Sequence, residues 1–221
     1  MIDTLIDKQD TFEIVRDKIA QILANETASQ QAMAVTAGEP DPDLWKLRVF
    51  TERANPWEQF LNNHDDRSPI VNVWYESSSF EERSSNIMER QTTHGTFNVD
   101  VFGMGLATET DAGHAPGDQD AAYVLQRGLR LVRNILMAAT YTYLDLRGLV
   151  GKRWIDSLES FQPQFDNQAM QQVQAGRFSF RVSFNEFSPQ VTPVELELVS
   201  VDIKRDLDGA VVAEADYDYT T

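Results

Sequence analysis

The sequence predicts an α+β protein: a mixed, mainly antiparallel β-sheet flanked by a long N-terminal helix and a long central helix, with a C-terminal β-hairpin arm. Three observations lead to this fold class. Two long segments repeat apolar residues at helical spacing, whereas most of the others alternate apolar and polar residues. These segments do not follow one another as βαβα units, which disfavours a doubly wound nucleotide-binding fold. Hydrophobic residues make up 42% of the 221 residues, enough for a substantial core.

The N-terminal helix is expected over residues 11–35. Its charged residues fall on the side opposite to the apolar residues, which recur at helical spacing: Phe12, Val15, Ile19, Ile22 and Leu23. Residues 36–43 contain two prolines and have no periodicity, so they predict a loop.

The next segments predict three strands and one short helix. Residues 45–51 alternate apolar and basic side chains, which is typical of a strand. Pro56 suits the first position of a short helix that runs to residue 61. Residues 70–75 are rich in β-branched and aromatic side chains, and residues 91–103 alternate apolar and polar ones, so each predicts a strand.

The central helix is expected over residues 118–139, after a loop at 103–117 that is rich in glycine and small residues. Asp118 and Asp120 favour the positive N-terminal end of a helix. The apolar stripe consists of Ala121, Leu125, Val132, Ile135 and Ala139.

The C-terminal third predicts strands over 153–160, 176–187 and 194–204, followed by an Asp-Gly turn within 206–209 and a short strand over 210–213. We expect residues 1–190 to form the main domain, with an insertion at 36–60. Residues 191–221 then form an acidic strand and hairpin extension.

Composition excludes several classes of function. The chain has no cysteine, which rules out disulfides, thiolate metal sites and cysteine nucleophiles. A formal charge of −16 disfavours binding to nucleic-acid phosphates. The longest apolar run is only residues 135–139, and the first ten residues include Asp3, Asp7, Lys8 and Asp10, which does not fit the layout of a signal peptide. We therefore expect no membrane association and a location in a cytoplasm.

No catalytic, cofactor-binding or metal-ligating residue is predicted. Asp202 and Lys204 match half of a metal-dependent nuclease signature, but the acid that should precede them is missing. His64, Asp65 and Asp66 lack a second ligand pair at a recognisable spacing. We therefore expect a protein that is not an enzyme and carries no cofactor.

Two features predict contacts with other protein molecules. Arg127, Arg130 and Arg133 fall at i, i+3 and i+6 on the central helix, either as a solvated face or as partners for carboxylates of a neighbouring subunit. Tyr217 and Tyr219 alternate with acidic residues near the C-terminus, which favours a docking arm over a disordered tail.

The order of the elements over about residues 10–190 resembles that of bacteriophage tail terminator proteins, with a late strand at 175–184 of sequence AGRFSFRVSF. The resemblance implies a ring, hexameric in this family, that caps the tail tube in the virion after assembly in the host cytoplasm. It implies contacts with the tail tube, with head-completion or neck proteins and possibly with a sheath protein. DNA would pass through without specific binding. The family has no active site to carry over.

Three other functions remain open at this point. The chain could be another head-to-tail connector, such as a head-closure or neck protein. It could be a metal-dependent nuclease that uses Asp202 and Lys204. It could also be a cytoplasmic binding module.

Overall fold

Two long helices pack on one face of a five-stranded sheet in the computed structural model, which confirms the predicted α+β fold class. The structure describes residues 7–62, 66–81, 90–110, 113–163, 172–187, 198–204 and 211–218.

The first helix, α1, spans Thr11–Ala37, close to its predicted bounds. Glu13 fixes its start, because the Glu13 side chain accepts a hydrogen bond of 2.9 Å from the backbone N–H of Asp10. Gly38 ends the helix with a φ of 73°, a left-handed conformation that glycine adopts without a steric penalty. The apolar stripe of α1 enters the core.

The predicted strand at residues 45–51 is wrong in its first half. Pro42–Trp45 forms a 3₁₀ turn, and only Arg48–Thr51 is a strand, β1. Trp45 instead packs against the core formed by the two long helices and the sheet. Its apolar side chain is explained by that packing and not by alternation along a strand. The short helix predicted from Pro56 is confirmed as a 3₁₀ turn, Pro56–Glu58, followed by α2, Gln59–Asn62.

Strands β2 (Ile70–Phe80) and β3 (Arg90–Met104) follow at the predicted places, and both are longer than predicted. The predicted loop after β3 contains a small hairpin of β4 (Thr108–Thr110) and β5 (Gly113–Ala115). Helix α3 then spans Gly117–Leu136.

Arg153 accounts for the early end of α3, three residues before the predicted one. Its guanidinium donates to the backbone carbonyls of Leu136, of Ala138 at 2.7 Å and of Thr142 at 3.2 Å. Leu136 is the last residue of α3, so its carbonyl is one that a helix C-terminus leaves unpaired, and Ala138 and Thr142 lie in the segment that follows. Burial among them lowers the pKa of Arg153.

Strands β6 (Val150–Phe161) and β7 (Val173–Phe187) complete the main sheet in the order β1-β2-β3-β7-β6. Only β1 and β2 run parallel; the other neighbours are antiparallel. Alternation along β3 and β7 separates the faces, because Val99 lies opposite Phe178 on the helix-covered face and Asp100 lies opposite Arg177 on the other.

A second, smaller core covers one end of the face that the long helices leave free. Phe50 of β1, Trp57 and Phe60 pack there against sheet residues such as Phe102. The segment predicted as an insertion therefore supplies side chains that cover part of this face, and beside it no other described residues form a layer over the sheet.

The C-terminal hairpin consists of β8 (Leu198–Lys204) and β9 (Val211–Asp218), which pair antiparallel in a sheet separate from the five-stranded main sheet. The strand β9 is longer than the predicted 210–213. The predicted Asp-Gly turn at 206–209, the start of the predicted strand 194–204 and the boundary predicted at residue 190 all lie outside the described residues. Within the described ranges, no helix is long and apolar enough to cross a membrane.

Candidate functional site

A pocket of about 610 Å³ opens on the face of the sheet that lacks the long helices. It lies between the turn that follows β1 and the end of β6. The described residues that line it include three large aromatic side chains, Trp57, Trp74 and Phe161, and two arginines, Arg53 and Arg177. Aromatic residues and arginine are the types enriched where proteins recognise one another.

A buried ion pair forms the floor of the pocket. Asp100 is only 5% exposed, and its two carboxylate oxygens accept hydrogen bonds from Arg177 Nε at 2.6 Å and Arg177 Nη2 at 2.9 Å. The indole Nε1 of Trp74 donates a third hydrogen bond to Asp100 at 3.0 Å. The geometry is bidentate, which is the strongest arrangement for an arginine and a carboxylate.

Two aromatic rings hold the guanidinium of Arg177. Its Cζ lies 4.9 Å from the ring centroid of Trp74 and 5.2 Å from the ring centroid of Phe161. The hydrogen bonds to Asp100 raise the pKa of Arg177, so this side chain stays charged. The guanidinium is fixed in place although its side chain remains 37% exposed.

This arrangement suits recognition better than catalysis. The Asp100 carboxylate already accepts hydrogen bonds from three N–H groups, so little of its hydrogen-bonding capacity is left for a substrate. The pocket offers flat aromatic faces and fixed N–H groups, which can receive a side chain or a short segment of another molecule. Among the described residues, no group of three His, Asp or Glu side chains could hold a metal ion.

The three predicted interface arginines of α3 differ in their exposure and in their contacts. Arg127 is half-buried, and its Cζ lies 5.7 Å from the ring of Trp45. Arg130 and Arg133 are exposed, and neither side chain has a hydrogen-bonding or ion-pair partner within the described parts of the chain. Several other arginines, by contrast, pair with carboxylates: Arg16, Arg48, Arg67, Arg177 and Arg181.

Arg130 lies between two exposed large side chains, Tyr123 within α3 and Met137 immediately after its last residue. Tyr123 is 61% exposed and Met137 is 45% exposed. The three positions are seven residues apart, so they lie along one line of the helix. We call Tyr123, Arg130, Arg133 and Met137 the α3 ridge.

The other predicted site residues lie apart from the pocket. Tyr217 is at a position of β9 opposite Val199, and Asp202 of β8 is opposite Glu214. Tyr219, His64 and Asp65 lie outside the described residues. Asp66 pairs with Arg48 at 3.4 Å, and the other two histidines contact exposed glutamates, His94 with Glu81 and His114 with Glu109.

Sequence reasoning missed Trp74, Asp100 and Arg177. Asp100 is the polar member of an alternating strand, so its position predicts a solvated side chain. The usable signal was the arginine at 177 on another alternating strand, but the pairing of β3 with β7 decides whether the two charges meet.

Comparisons with known proteins do not place this chain. No protein-family model matches it, and a search of curated proteins gave no significant match.

Proposed function

We propose that this chain is a structural protein of a bacteriophage tail, a tail terminator whose copies form a ring that caps the tail tube and joins it to the head or neck. The proposal rests on the resemblance in element order and on the observations of charge and surface given below. In this role DNA passes through the ring, and the protein needs neither an active site nor a cofactor.

The main support for the proposal is the exposed α3 ridge. In a chain of charge −16, Arg130 and Arg133 have no carboxylate partner within the described residues, whereas many carboxylates remain exposed. An arginine flanked by tyrosine and methionine has the composition of an interface centre. A second copy supplies the acidic surface that these arginines lack, and repeated head-to-tail contacts of this kind close into rings.

The C-terminal hairpin supports the same role. Its two strands contain four acidic residues, Asp202, Glu214, Asp216 and Asp218, against one lysine. Together with the excess of acidic residues over the whole chain, this favours contact between the hairpin and a basic surface of a neighbouring copy.

Self-assembly of the full chain tests the proposal. We expect native mass spectrometry to find a closed oligomer, hexameric if the family pattern holds, and negative-stain images to show rings. Arg130→Glu should shift the protein to smaller species while its circular dichroism spectrum stays unchanged, because the substitution places like charges at the interface.

Arg147→Glu is the matched control, since Arg147 is also exposed but lies outside the α3 ridge. Equal loss of oligomers in both variants would mean that the added negative charge matters and the ridge does not. Unchanged oligomers in Arg130→Glu would leave the ridge as a solvated face and remove the main support for the proposal.

The partner identifies the position in the particle. A tail terminator should bind the ends of purified tail tubes, whereas a head-closure or neck protein should bind a portal ring. Images of each mixture separate these two related functions.

The pocket beneath Trp57 and Phe161 favours a second candidate, a binding module that recognises one segment of another protein. Binding through its aromatic faces and the fixed guanidinium of Arg177 does not require the protein to assemble into an oligomeric ring. A chain that remains monomeric at all concentrations and in mixtures with tubes and portals would favour this candidate.

A further inference from the structure

The outer edge of β6 is a long, unpaired strand edge. This strand spans 12 residues and is the last strand of the five-stranded sheet, so only β7 pairs with it among the described residues. Leu158 of β6 is 51% exposed, and the strand contains no proline. A free edge presents a row of N–H and C=O groups that readily pair with a strand from another chain.

Two irregularities divide this edge but do not close it. The register against β7 shifts between Val150 and Lys152 and again between Ile155 and Ser157. Residues 152–155 and 157–161 are therefore regular stretches that can accept a partner strand.

The hairpin of β8 and β9 is a candidate for that partner strand. It pairs only with itself in the described residues, and an isolated two-stranded hairpin is marginally stable in water. The strand β9 has eight residues, and within the described parts of the chain β8 is its one neighbour, which leaves its other edge without a paired strand there. Pairing with a further strand stabilises such a hairpin by completing its hydrogen bonds.

Charge selects the relative direction of the two strands. The beginning of β6 carries the exposed Lys152, whereas Arg153 already binds the carbonyls that follow α3, and the later half of the strand contains Asp156, Glu159 and the exposed Leu158. The strand β9 begins with the apolar residues 211–213 and ends with acidic residues at 214, 216 and 218. Antiparallel pairing with Asp218 beside Lys152 forms one acid–base pair and places the apolar residues 211–213 beside residues 157–159, although Glu214 then falls near Asp156 at the bulge. Parallel pairing with Val211 beside Lys152 forms no acid–base pair and places Asp218 beside Glu159.

From these observations we infer that β9 of one copy adds antiparallel to the free edge of β6 in a neighbouring copy, so that the main sheet of each subunit gains the neighbour's hairpin. The inference rests on the proposed ring and names a backbone contact that joins its subunits. It is a different surface from the α3 ridge.

Paired cysteines test both the contact and its direction. The chain has no cysteine of its own, so any disulfide reports the introduced pair. If Asp218 lies beside Lys152, Val212 lies within about a residue of Leu158 in an antiparallel pair. Residues 212 and 218 are about 20 Å apart along a strand. A disulfide requires Cα atoms within about 7 Å, so a cysteine at residue 158 cannot bridge to both 212 and 218 in the same arrangement.

The full chain carrying Leu158→Cys and Val212→Cys should form intermolecular cross-links on oxidation, or with a short bismaleimide that tolerates the bulge near Asp156. We expect a ladder of covalent oligomers on a denaturing gel. The matched pair, Leu158→Cys with Asp218→Cys, should cross-link at least tenfold less. Circular dichroism and native mass spectrometry check that both variants fold and assemble like the parent.

Each contrary outcome has a distinct meaning. Rings without cross-links in the 158/212 pair overturn the inference and leave the proposed ring intact. Cross-links within a single copy overturn it in favour of an arm that folds back on its own subunit. Stronger cross-linking in the 158/218 pair overturns the antiparallel direction. A monomer without cross-links contradicts both the inference and the ring.

Discussion

Individual side chains on the face of the sheet opposite the long helices contribute to stability in ways that their sequence positions do not indicate. Asp100 is a buried carboxylate whose charge is balanced by the bidentate guanidinium of Arg177 and by the indole of Trp74. Removing one member of such a pair leaves the others without a partner in a partly desolvated site, which costs more than the net gain of forming the pair.

We therefore expect Asp100→Asn to lower the free energy of unfolding by about 1–3 kcal/mol. The amide keeps the shape of the carboxylate but loses its charge, and its N–H₂ group faces donors. Urea denaturation followed by circular dichroism measures the change.

Asp156→Asn is the matched control, because Asp156 also pairs with an arginine, Arg181, at 3.1 Å, but both side chains are well exposed. Its effect should stay below about 1 kcal/mol. Equal effects of the two substitutions would show that burial of Asp100 contributes nothing.

Tyr141 gives the protein a pH-dependent contribution on the side of the long helices. Its hydroxyl donates a hydrogen bond of 2.5 Å to Glu26 of α1, and this bond raises the pKa of Tyr141 to about 12. The unfolded chain has an ordinary tyrosine pKa of about 10. The folded state thus holds the proton more tightly, so this stabilisation is complete below pH 10 and is lost as the pH rises through 12.

Absorbance of the tyrosinate form measures this prediction. Of the six tyrosines, one should titrate near pH 12 in the parent protein, and Tyr141→Phe should remove that step. In Glu26→Gln the step should move toward pH 10. A titration that is the same in all three proteins would contradict the assignment.

At the scale of elements, the contact between β3 and α3 depends on the absence of a side chain. A Cβ built at Gly103 would lie 2.5 Å from the backbone nitrogen of Leu125 and 2.7 Å from the backbone oxygen of Ala121. Both atoms belong to the helix backbone, so no rotamer change relieves the overlap. Gly103 therefore lets α3 approach the sheet closely enough for Leu125 and Val132 to enter the main core.

Gly103→Ala should push α3 away from β3 and lower the free energy of unfolding by about 1–3 kcal/mol. Thermal and urea unfolding measure the loss. Gly151→Ala is the control in another strand, because a Cβ there would lie 3.6 Å from its nearest neighbour, Ser183 O. That substitution should change stability by less than about 0.5 kcal/mol. A Gly103→Ala protein as stable as the control would mean that the helix tolerates a wider separation.

At the scale of the whole molecule, the charge of −16 determines the electrostatic interaction of the protein with nucleic acid. A strongly negative surface repels phosphates, and no counterion release compensates for that repulsion. A ring through which DNA passes gains from this, because DNA that does not bind can slide.

We expect no binding of labelled duplex DNA by fluorescence anisotropy, even at about 50 mM salt where non-specific binding is strongest. The measurement should be made on the assembled oligomer and repeated with Arg130→Glu as a comparison. Salt-sensitive binding by the parent protein that the variant lacks would contradict a passive channel and assign the α3 ridge to DNA.

Much of the element order followed from periodicity. The two long helices and the strands β2, β3, β6 and β7 were predictable because their apolar residues repeat at spacings that only one type of backbone can bury on one side. Trp45 shows where this reasoning fails. Its alternation with Leu47 and Val49 fits a strand, but the structure places Trp45 at the end of a 3₁₀ turn, packed against the main core. The exposure of Arg130 and Arg133 was likewise open to prediction, whereas the contact of Arg127 with Trp45 was not.

The sequence by itself determined the fold class, the excess of negative charge and the lack of thiol chemistry, since each depends on composition or on local repeats. Only the tertiary structure decided which polar residues are buried together, as for Asp100 and Arg177, and which strand edge is left unpaired. Both depend on strand order and register, and these are set by contacts between segments far apart in the chain that local patterns do not encode.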